Sequence, residues 1–562
     1  MLQKIRISLA AVFFTFITLL FLDFTGTLHT WFGWMAKIQF LPAVLALNFV
    51  IIGLLVLLTL LLGRVYCSVI CPLGVFQDIT AWIGRRGKKA PYTFSPAKSW
   101  LRYGVLALFV VALIFGVSAI VALLDPYGAY GRMANNLLLP IWQWGNNLLA
   151  LIAERINSYA FYSTDVWLKS LPTFLIATGT FVLVAVLAWR NGRTYCNTIC
   201  PVGSFLGLLS RFSAFQIRID ARKCNKCTIC ERNCKASCID SEAYKVDHSR
   251  CVACMNCIGK CNRDAIHYTF GYSKMGKIRV AGEMGKIGEM GGIRRGVSHT
   301  PKLETTETRR GVSHTPKRAI GEVGERSFDT SAALSAGPAQ DDNKAGNINE
   351  TRKGFLSATL ILATSALQSQ IIPKATDIKM DGGLADILKK ESPNRLTPLT
   401  PAGSQSARNM KQKCTACQLC VTVCSNNVLR PSSSLDTLMQ PLMSFERGYC
   451  RPECVKCSEV CPTGAIQQIT KEEKSSTQIG HAVWVRERCI PLTDEQACDN
   501  CAHHCPTSAI VMIPSVPGDE QSLKIPAVNE ELCIGCGACE YLCPSRPLSA
   551  IYVEGHPIHK II

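Results

Sequence analysis

Two stretches of this chain place thiols at a spacing suited to gripping a metal centre. Cys224, Cys227, Cys230 and Cys234 follow the pattern C-x2-C-x2-C-x3-C, and Cys251, Cys254, Cys257 and Cys261 repeat it. Three thiolates on one tight loop can bind three corners of an iron–sulfur cubane, and the fourth ligand must arrive from elsewhere. In two-cluster arrangements the fourth cysteine of each run serves the other cluster. The spacing therefore predicts one [4Fe-4S] centre on Cys224, Cys227, Cys230 and Cys261. A second is expected on Cys251, Cys254, Cys257 and Cys234. Structural zinc sites use paired C-x2-C knuckles, which two complete four-cysteine runs do not resemble. Cys238 is left over and reads as a small buried residue.

The theme recurs four times near the C-terminus: Cys414, Cys417, Cys420, Cys424; Cys450, Cys454, Cys457, Cys461; Cys489, Cys498, Cys501, Cys505; and Cys533, Cys536, Cys539, Cys543. Six runs thus use 24 of the 29 cysteines, which implies about six [4Fe-4S] clusters. Disulfide scaffolds are short and irregularly spaced, unlike this chain of 562 residues. A cubane on four thiolates carries net negative charge, so nearby cations raise its potential. Lys223, Lys226, Arg232, Lys411, Lys413 and Lys456 are placed to do this.

A third motif is duplicated. Arg64-Val-Tyr-Cys67-x3-Cys71-Pro72-Leu-Gly74 returns as Arg193-Thr-Tyr-Cys196-x3-Cys200-Pro201-Val-Gly203. Each copy directly follows an apolar stretch, so the four thiols could meet in space. Three readings stay open for them: metal ligands, a redox dithiol, or packing at a helix interface.

The elements that position these motifs begin with four uncharged stretches, 7–22, 38–63, 103–124 and 170–189. About 20 apolar residues cross a bilayer as a helix, so four spanning helices are expected. Lys4, Arg6, Arg64, Arg85, Arg86, Lys88, Lys89, Lys98, Arg190 and Arg193 flank one set of helix ends, and Lys37 alone lies in the first opposite loop. The positive-inside rule puts the former in the cytoplasm. The long loop 125–171 then falls outside, where its Asn/Trp/Leu-rich middle suits the interface. The net charge of +19 reads as this topology signal and as compensation for anionic clusters. No basic patch with interleaved aromatics follows, so no nucleic-acid partner is expected.

The chain accordingly divides into a membrane domain (1–215), a two-cluster ferredoxin domain (216–272), a linker (273–350), a short apolar segment (351–370) and a four-cluster domain (371–562). The linker repeats RRGVSHTPK at 294–302 and 309–317 and has no composition for a packed core, so disorder is expected there. The fold class is multidomain: a four-helix transmembrane domain plus α+β ferredoxin-like domains. No histidine falls within the four stretches, no C-x-x-C-H is present, and no dinucleotide fingerprint appears. Membrane haem, c-type haem and nicotinamide or flavin chemistry are not expected, and no residue is assigned a catalytic role.

The runs at 224–261 are similar to bacterial ferredoxins. The C-terminal runs, with Pro462-Thr463-Gly464 and Pro506-Thr507-Ser508 behind two of them, resemble four-cluster electron-transfer subunits of the NapG and MauM type. That resemblance implies that outer runs pair with each other and inner runs likewise. Cys543 would complete the first run's cluster, Cys424 the last run's, Cys505 the second's and Cys461 the third's. The paired C-x3-C-P loops, four helices and trailing ferredoxin resemble the NapH and MauN family over the first 270 residues or so. The whole chain resembles a fusion of the two. The resemblance implies a bacterial inner-membrane protein that takes electrons from quinol and passes them to an extracytoplasmic redox partner. A maturation factor that reduces a metal centre in a partner complex is the alternative. Thr351-Arg352-Lys353-Gly354-Phe355-Leu356 resembles a twin-arginine export signal, a route that carries a domain across already folded with its clusters. Lys374, Lys379, Lys389 and Lys390 beyond it favour the opposite outcome, a C-terminal domain kept inside.

In protein purified anaerobically the six cysteine runs should hold about 24 iron atoms and as many acid-labile sulfides per chain. Zinc as the principal metal would end the cluster reading.

Overall fold

The computed structural model describes residues 2–86, 92–158, 160–270 and 388–562. The linker, the twin-arginine-like segment, residues 371–387, and Lys88 and Lys89 lie outside the described residues. What is described is multidomain: a helical N-terminal region followed by small α+β ferredoxin-like units.

Two apolar stretches form unbroken helices, α1 (Leu2–Leu22) and, later in the chain, Leu171–Asn191, each of 21 residues and apolar enough to cross a membrane. At 1.5 Å per residue each is about 30 Å long, the thickness of the hydrocarbon core. Their outward faces expose Leu9, Val12, Val182, Leu183 and Val186, as expected of helices bathed in lipid rather than water.

The other two stretches are broken. Within 38–63 a short helix, Phe40–Leu45, ends before Leu47 turns left-handed at φ 54°, and Asn48 then caps α2 (Phe49–Leu62) by accepting from the Ile51 amide. Within 103–124 the break is Gly116, at φ 70°, between α5 (Ser99–Ile114) and α6 (Ser118–Leu124). α2 has 14 residues and α5 has 16, both shorter than a full crossing. Polarity and a glycine, not loss of hydrophobicity, set these ends.

The duplicated motif gives a duplicated structure. α2 ends at Gly63 (φ 73°), the chain enters a one-turn helix α3 (Val65–Val69), and Pro72 opens α4 (Pro72–Arg86). In the second copy α9 (Leu171–Asn191) ends at Gly192 (φ 69°), followed by α10 (Thr194–Thr198) and α11 (Pro201–Leu209). Proline suits the first turn of a helix, where its missing N–H costs nothing. Between the repeats, 125–171 forms α7 (Pro126–Met133) and α8 (Leu139–Arg155), joined through a π-helical turn at Ala134–Leu138. The interfacial segment expected there is thus helical, and α8 exposes Ile141, Trp142, Trp144, Leu148 and Ile152.

Beyond α11, antiparallel strands β1 (Phe215–Ile219) and β4 (Ile266–Phe270) frame the first ferredoxin unit, with the short pair β2 (Ile239–Asp240) and β3 (Lys245–Val246) between its cysteine runs. The C-terminal region contains two hairpins, β5 (Leu429–Pro431) with β6 (Pro441–Met443) and β8 (Ile510–Pro514) with β9 (Lys524–Val528). β7 (Thr477–Trp484) and β10 (Ile551–Ile561) tie them together.

The two ferredoxin regions lie at opposite ends of α1. At its start Gln3 Nε2 donates to Asn256 Oδ1 over 3.0 Å. Just past its end Lys456 Nζ donates to Thr25 O over 3.0 Å.

Asp78 on α4 binds Arg6 Nη1 at 2.8 Å, Arg193 Nε at 2.8 Å and Lys235 Nζ at 3.4 Å. Burial alone would raise its carboxyl, but Arg193, Lys235 and Arg6 hold it well below the usual carboxylate range. Asp78→Asn should therefore cost about 3 kcal/mol or more, since it strands fully buried Arg193. A lowered midpoint of thermal unfolding in detergent is the expected readout, and an unchanged midpoint would reduce the cluster to ornament.

Candidate iron–sulfur and thiol centres

In the first ferredoxin unit, Cys224, Cys227, Cys230 and Cys261 line one small cavity together with Ile229 and Ile266. This is the crossed set that the spacing predicts. Ala265 N donates to Cys261 Sγ over 3.3 Å, a contact that favours the thiolate. Cys251, Cys254, Cys257 and Cys234 form the second set, all electrostatic neighbours of the Cys257 sulfur. Cys238 belongs with them: its Sγ is 3.5 Å from Cys234 Sγ and also contacts Cys251. Its spacing four residues after Cys234 is the signal that sequence reasoning left unused.

The C-terminal pairing differs from the outer-with-outer expectation. Cys414, Cys417 and Cys420 have Cys461 as a neighbour, and Cys450, Cys454 and Cys457 line a cavity with Cys424. Cys489 and Cys501 sit with Cys498 and Cys543, while Cys533 and Cys536 sit with Cys505. Successive runs therefore pair, first with second and third with fourth. The hairpins explain the correction: β5–β6 lies between the first two runs and β8–β9 between the last two, so each pair closes over a short span. The second set abuts the fourth, because Cys450 N donates to Cys536 O over 2.9 Å and the two sulfurs are electrostatic neighbours.

The chemistry of the donors tests whether cubanes fit these sites. Among the described residues no three His, Cys, Asp or Glu side chains come together as a single ion would need. Two of the thiol sets instead line cavities, those of Cys224 and of Cys450, and main-chain amides donate to sulfurs at Cys414, Cys461 and Cys543 over 3.3–3.4 Å. Four thiols around a space with N–H donors match a cubane.

The C-x3-C-P cysteines also converge. Cys67, Cys71, Cys196 and Cys200 are buried and are mutual electrostatic neighbours. Two arginines with no exposure cross between the repeats. Arg64 donates to Cys196 O (3.2 Å), Asn197 Oδ1 (2.8 Å) and its own Cys67 Sγ (3.8 Å). Arg193 donates to Cys67 O over 2.6 Å. The motif glycines make room, since a Cβ on Gly74 would stand 2.9 Å from Arg193 Nη1, and one on Gly203 2.8 Å from Arg64 Nη2. Gln77 Nε2 donates to Cys196 Sγ over 3.2 Å, and the Gly203 amide to Cys200 Sγ over 3.3 Å. Arg64 Nε and Arg193 Nη2 are buried with no hydrogen-bond partner. Four thiols, two arginines and unspent donors make a pocket for an anionic group.

The C-terminal region seats its first run directly on the helical region. Arg132 donates to Ala416 O (3.3 Å), Asn135 in the π turn to Gln418 O (3.1 Å), and Lys169 to Val421 O (3.2 Å). Arg430 and Arg447 stack on Trp167. Beside this seam burial pushes the Asp125 carboxyl up to about 6, although amides of Gly128 and Tyr127 and the Arg132 charge oppose it. Of the cations named from sequence, Lys456 serves docking, Lys411 pairs with Asp436 and Lys226 lies over Tyr244. A cation that does reach a sulfur of these runs is Lys474, whose Nζ is 3.2 Å from Cys450 Sγ and 2.6 Å from Arg451 O. Burial works against its charge, yet the Cys450 sulfur raises its affinity for the proton.

Known proteins share these parts. A family model described as "4Fe-4S binding domain" matches residues 44–91 and 171–220, which hold the two C-x3-C-P loops, and a "4Fe-4S dicluster domain" model matches 496–546. The ferredoxin-type protein NapF of Escherichia coli is 27% identical over 180 residues, 32% of this chain and all of NapF. The ferredoxin-type protein NapH of Haemophilus influenzae is 27% identical over 41% of this chain and 71% of its own length. The methylamine utilization ferredoxin-type protein MauM of Methylophilus methylotrophus is 29% identical over 30% of this chain and 75% of its length. No solved structure matches.

Lys474→Met should lower the potential of the centre that includes Cys450. Loss of one charge-assisted hydrogen bond is worth about 1.5 kcal/mol, or on the order of 60 mV for one electron. A redox titration followed by electron paramagnetic resonance should show one centre moving down and the others fixed.

Proposed function

We infer that the chain, which matches 4Fe-4S domain models and is similar to NapH, is an iron–sulfur, ferredoxin-type electron-transport protein. We propose that it sits in the bacterial inner membrane, takes electrons from quinol, and delivers them to a redox partner outside the cytoplasm. The observation that carries this reading is the placement of the two ferredoxin regions at the two ends of α1, one on Asn256 and the other on Lys456. The end bearing Arg64, Arg85, Arg86 and Arg193 is cytoplasmic by charge, so the end bearing the four-cluster region faces out. Such a domain has to cross already folded, which agrees with the twin-arginine-like sequence Arg352-Lys353.

In this reading Cys67, Cys71, Cys196 and Cys200 hold a further iron–sulfur centre, which supplies one-electron capacity within the helical region. Arg64 and Arg193 offset its negative charge, and Asp78 keeps Arg193 aimed at the thiol loops. Quinol arrives from the lipid as a two-electron donor and releases two protons. The low dielectric around the pocket excludes water, so the arginines act there with little screening. Cys417 and its set would hold the C-terminal centre that meets the helices, at Arg132 and Tyr127, and would supply the exit for the electrons.

Intact spheroplasts treated with protease should lose a C-terminal epitope, and purified protein in nanodiscs should have its clusters reduced by added quinol. A Cys71→Ser variant should keep the six soluble-domain clusters and lose at least tenfold in quinol oxidation. Full protection of the epitope until lysis, together with no reduction by quinol, would sink the reading.

A further inference from the structure

We propose that the chain also conducts electrons straight through the helical region, from a small acidic one-electron carrier in the cytoplasm to the four-cluster region, without quinone. This rests on the redox reading of the four C-x3-C-P thiols given above, but it adds an entry port and a second donor.

Those thiols are flanked on each side by a segment that carries further cysteines. Toward the first ferredoxin unit, Arg64 contacts Cys67 Sγ and also donates to Ser249 O over 3.1 Å, two residues before Cys251. Arg102 grips the same residue, at its carbonyl (2.8 Å) and its hydroxyl (3.0 Å). The Arg193 amide donates to Lys235 O over 2.8 Å, beside Cys234. Both thiol loops are therefore bolted to the segments that carry the second set of ligands. A protein that used its first ferredoxin unit only as a surface appendage would have no need of two fully buried arginines on Ser249.

Toward the four-cluster region, Tyr66 and Tyr195 come directly after the thiols. Tyr66 neighbours Cys67, Cys71 and Asp125, and Tyr195 neighbours Cys196, Cys200, Arg132 and Asp125. Arg132 then bonds Ala416 O, and Tyr127 neighbours both Cys417 and Cys461. Two glycines of α7 bring the next ligand loop onto the helix: a Cβ on Gly128 would lie 2.7 Å from Thr415 O, and one on Gly131 2.5 Å from Cys417 O. The thiol pocket thus has a ligand set packed against it through one or two residues on either side.

The entry port is the first set. Cys227 is exposed, and Arg222, Lys223, Lys226 and Arg263 around it are exposed as well. An exposed ligand with four exposed cations close to it in sequence or in its cavity lining suits an acidic carrier. Each passage moves one electron: the reduced carrier is oxidised by one, the four-cluster region is reduced by one, and no bond forms or breaks. No proton accompanies the electron, so the step carries charge across the membrane.

The test uses the full-length protein in sealed, quinone-free liposomes that enclose ferricyanide, with a reduced plant-type ferredoxin supplied outside. Trapped ferricyanide should be reduced, faster when an ionophore collapses the opposing potential. Lys223→Glu with Lys226→Glu should slow entry from the ferredoxin at least fivefold while electrons from dithionite still enter. Cys71→Ser should cut transfer at least tenfold with the resonance signals of the other clusters retained. Ferricyanide that stays oxidised until a quinone is added overturns the proposal, even where quinol still reduces the clusters in nanodiscs. Ferricyanide reduced without quinone supports it, even where quinol proves inert and the quinol reading falls.

Discussion

Arg64 and Arg193 exchange places across the two repeats, and this exchange organises the helical region. Each guanidinium has left its own loop to bind a carbonyl of the other, at 3.2 Å and 2.6 Å. A buried guanidinium needs both hydrogen bonds and a counter-charge, and Asp78 supplies the latter while Arg6 and Lys235 share it. Because Lys235 comes from the first ferredoxin unit and Arg6 from α1, the same carboxylate fastens three elements. The left-handed glycines, the prolines and the short helices α3 and α10 all serve to bring the two loops within reach of that exchange.

The electrostatics of the pocket follow from this. Four uncharged thiols would leave two buried arginines with one full carboxylate between them and with unpartnered donors. Such an excess of positive charge is costly in a medium of low dielectric, and an anionic occupant relieves it. The C-terminal region handles the same problem with smaller means. Amides address Cys414, Cys461 and Cys543, and a single ammonium, Lys474, addresses Cys450.

Cysteine spacing made the thiol groupings of the first ferredoxin unit legible, including the place of Cys261 beside the first run, because one rule governs tandem runs. Apolar length marked 7–22 and 170–189 as long helices. The breaks at Asn48 and Gly116 were less visible, since single residues outweighed long apolar neighbours. Pairing among the C-terminal runs depended on hairpins whose three-residue strands β5 and β6 carry almost no periodic signal. Lys474 escaped for a different reason: it reaches its site through the fold, 24 residues from the Cys450 that it touches. Seating the four-cluster region on α7 required Gly128 and Gly131, whose value lies in the side chain they lack.

The crossed arginines have one more consequence, for ancestry. A protein with one copy of the motif would have an arginine without its acceptor carbonyl and a site with two thiols instead of four. Two such chains packed about a two-fold axis would satisfy both arginines at once, as an isologous interface does. The present pocket has the layout of that axis, with Cys67 and Cys71 on one side and Cys196 and Cys200 on the other. Gene duplication and fusion would then have freed the halves to diverge, and they have: Asp78 in the first repeat has no acidic counterpart in the second, where residues 201–209 contain none. The crossed arginines thus give one chain the self-complementary exchange that an isologous dimer makes between two.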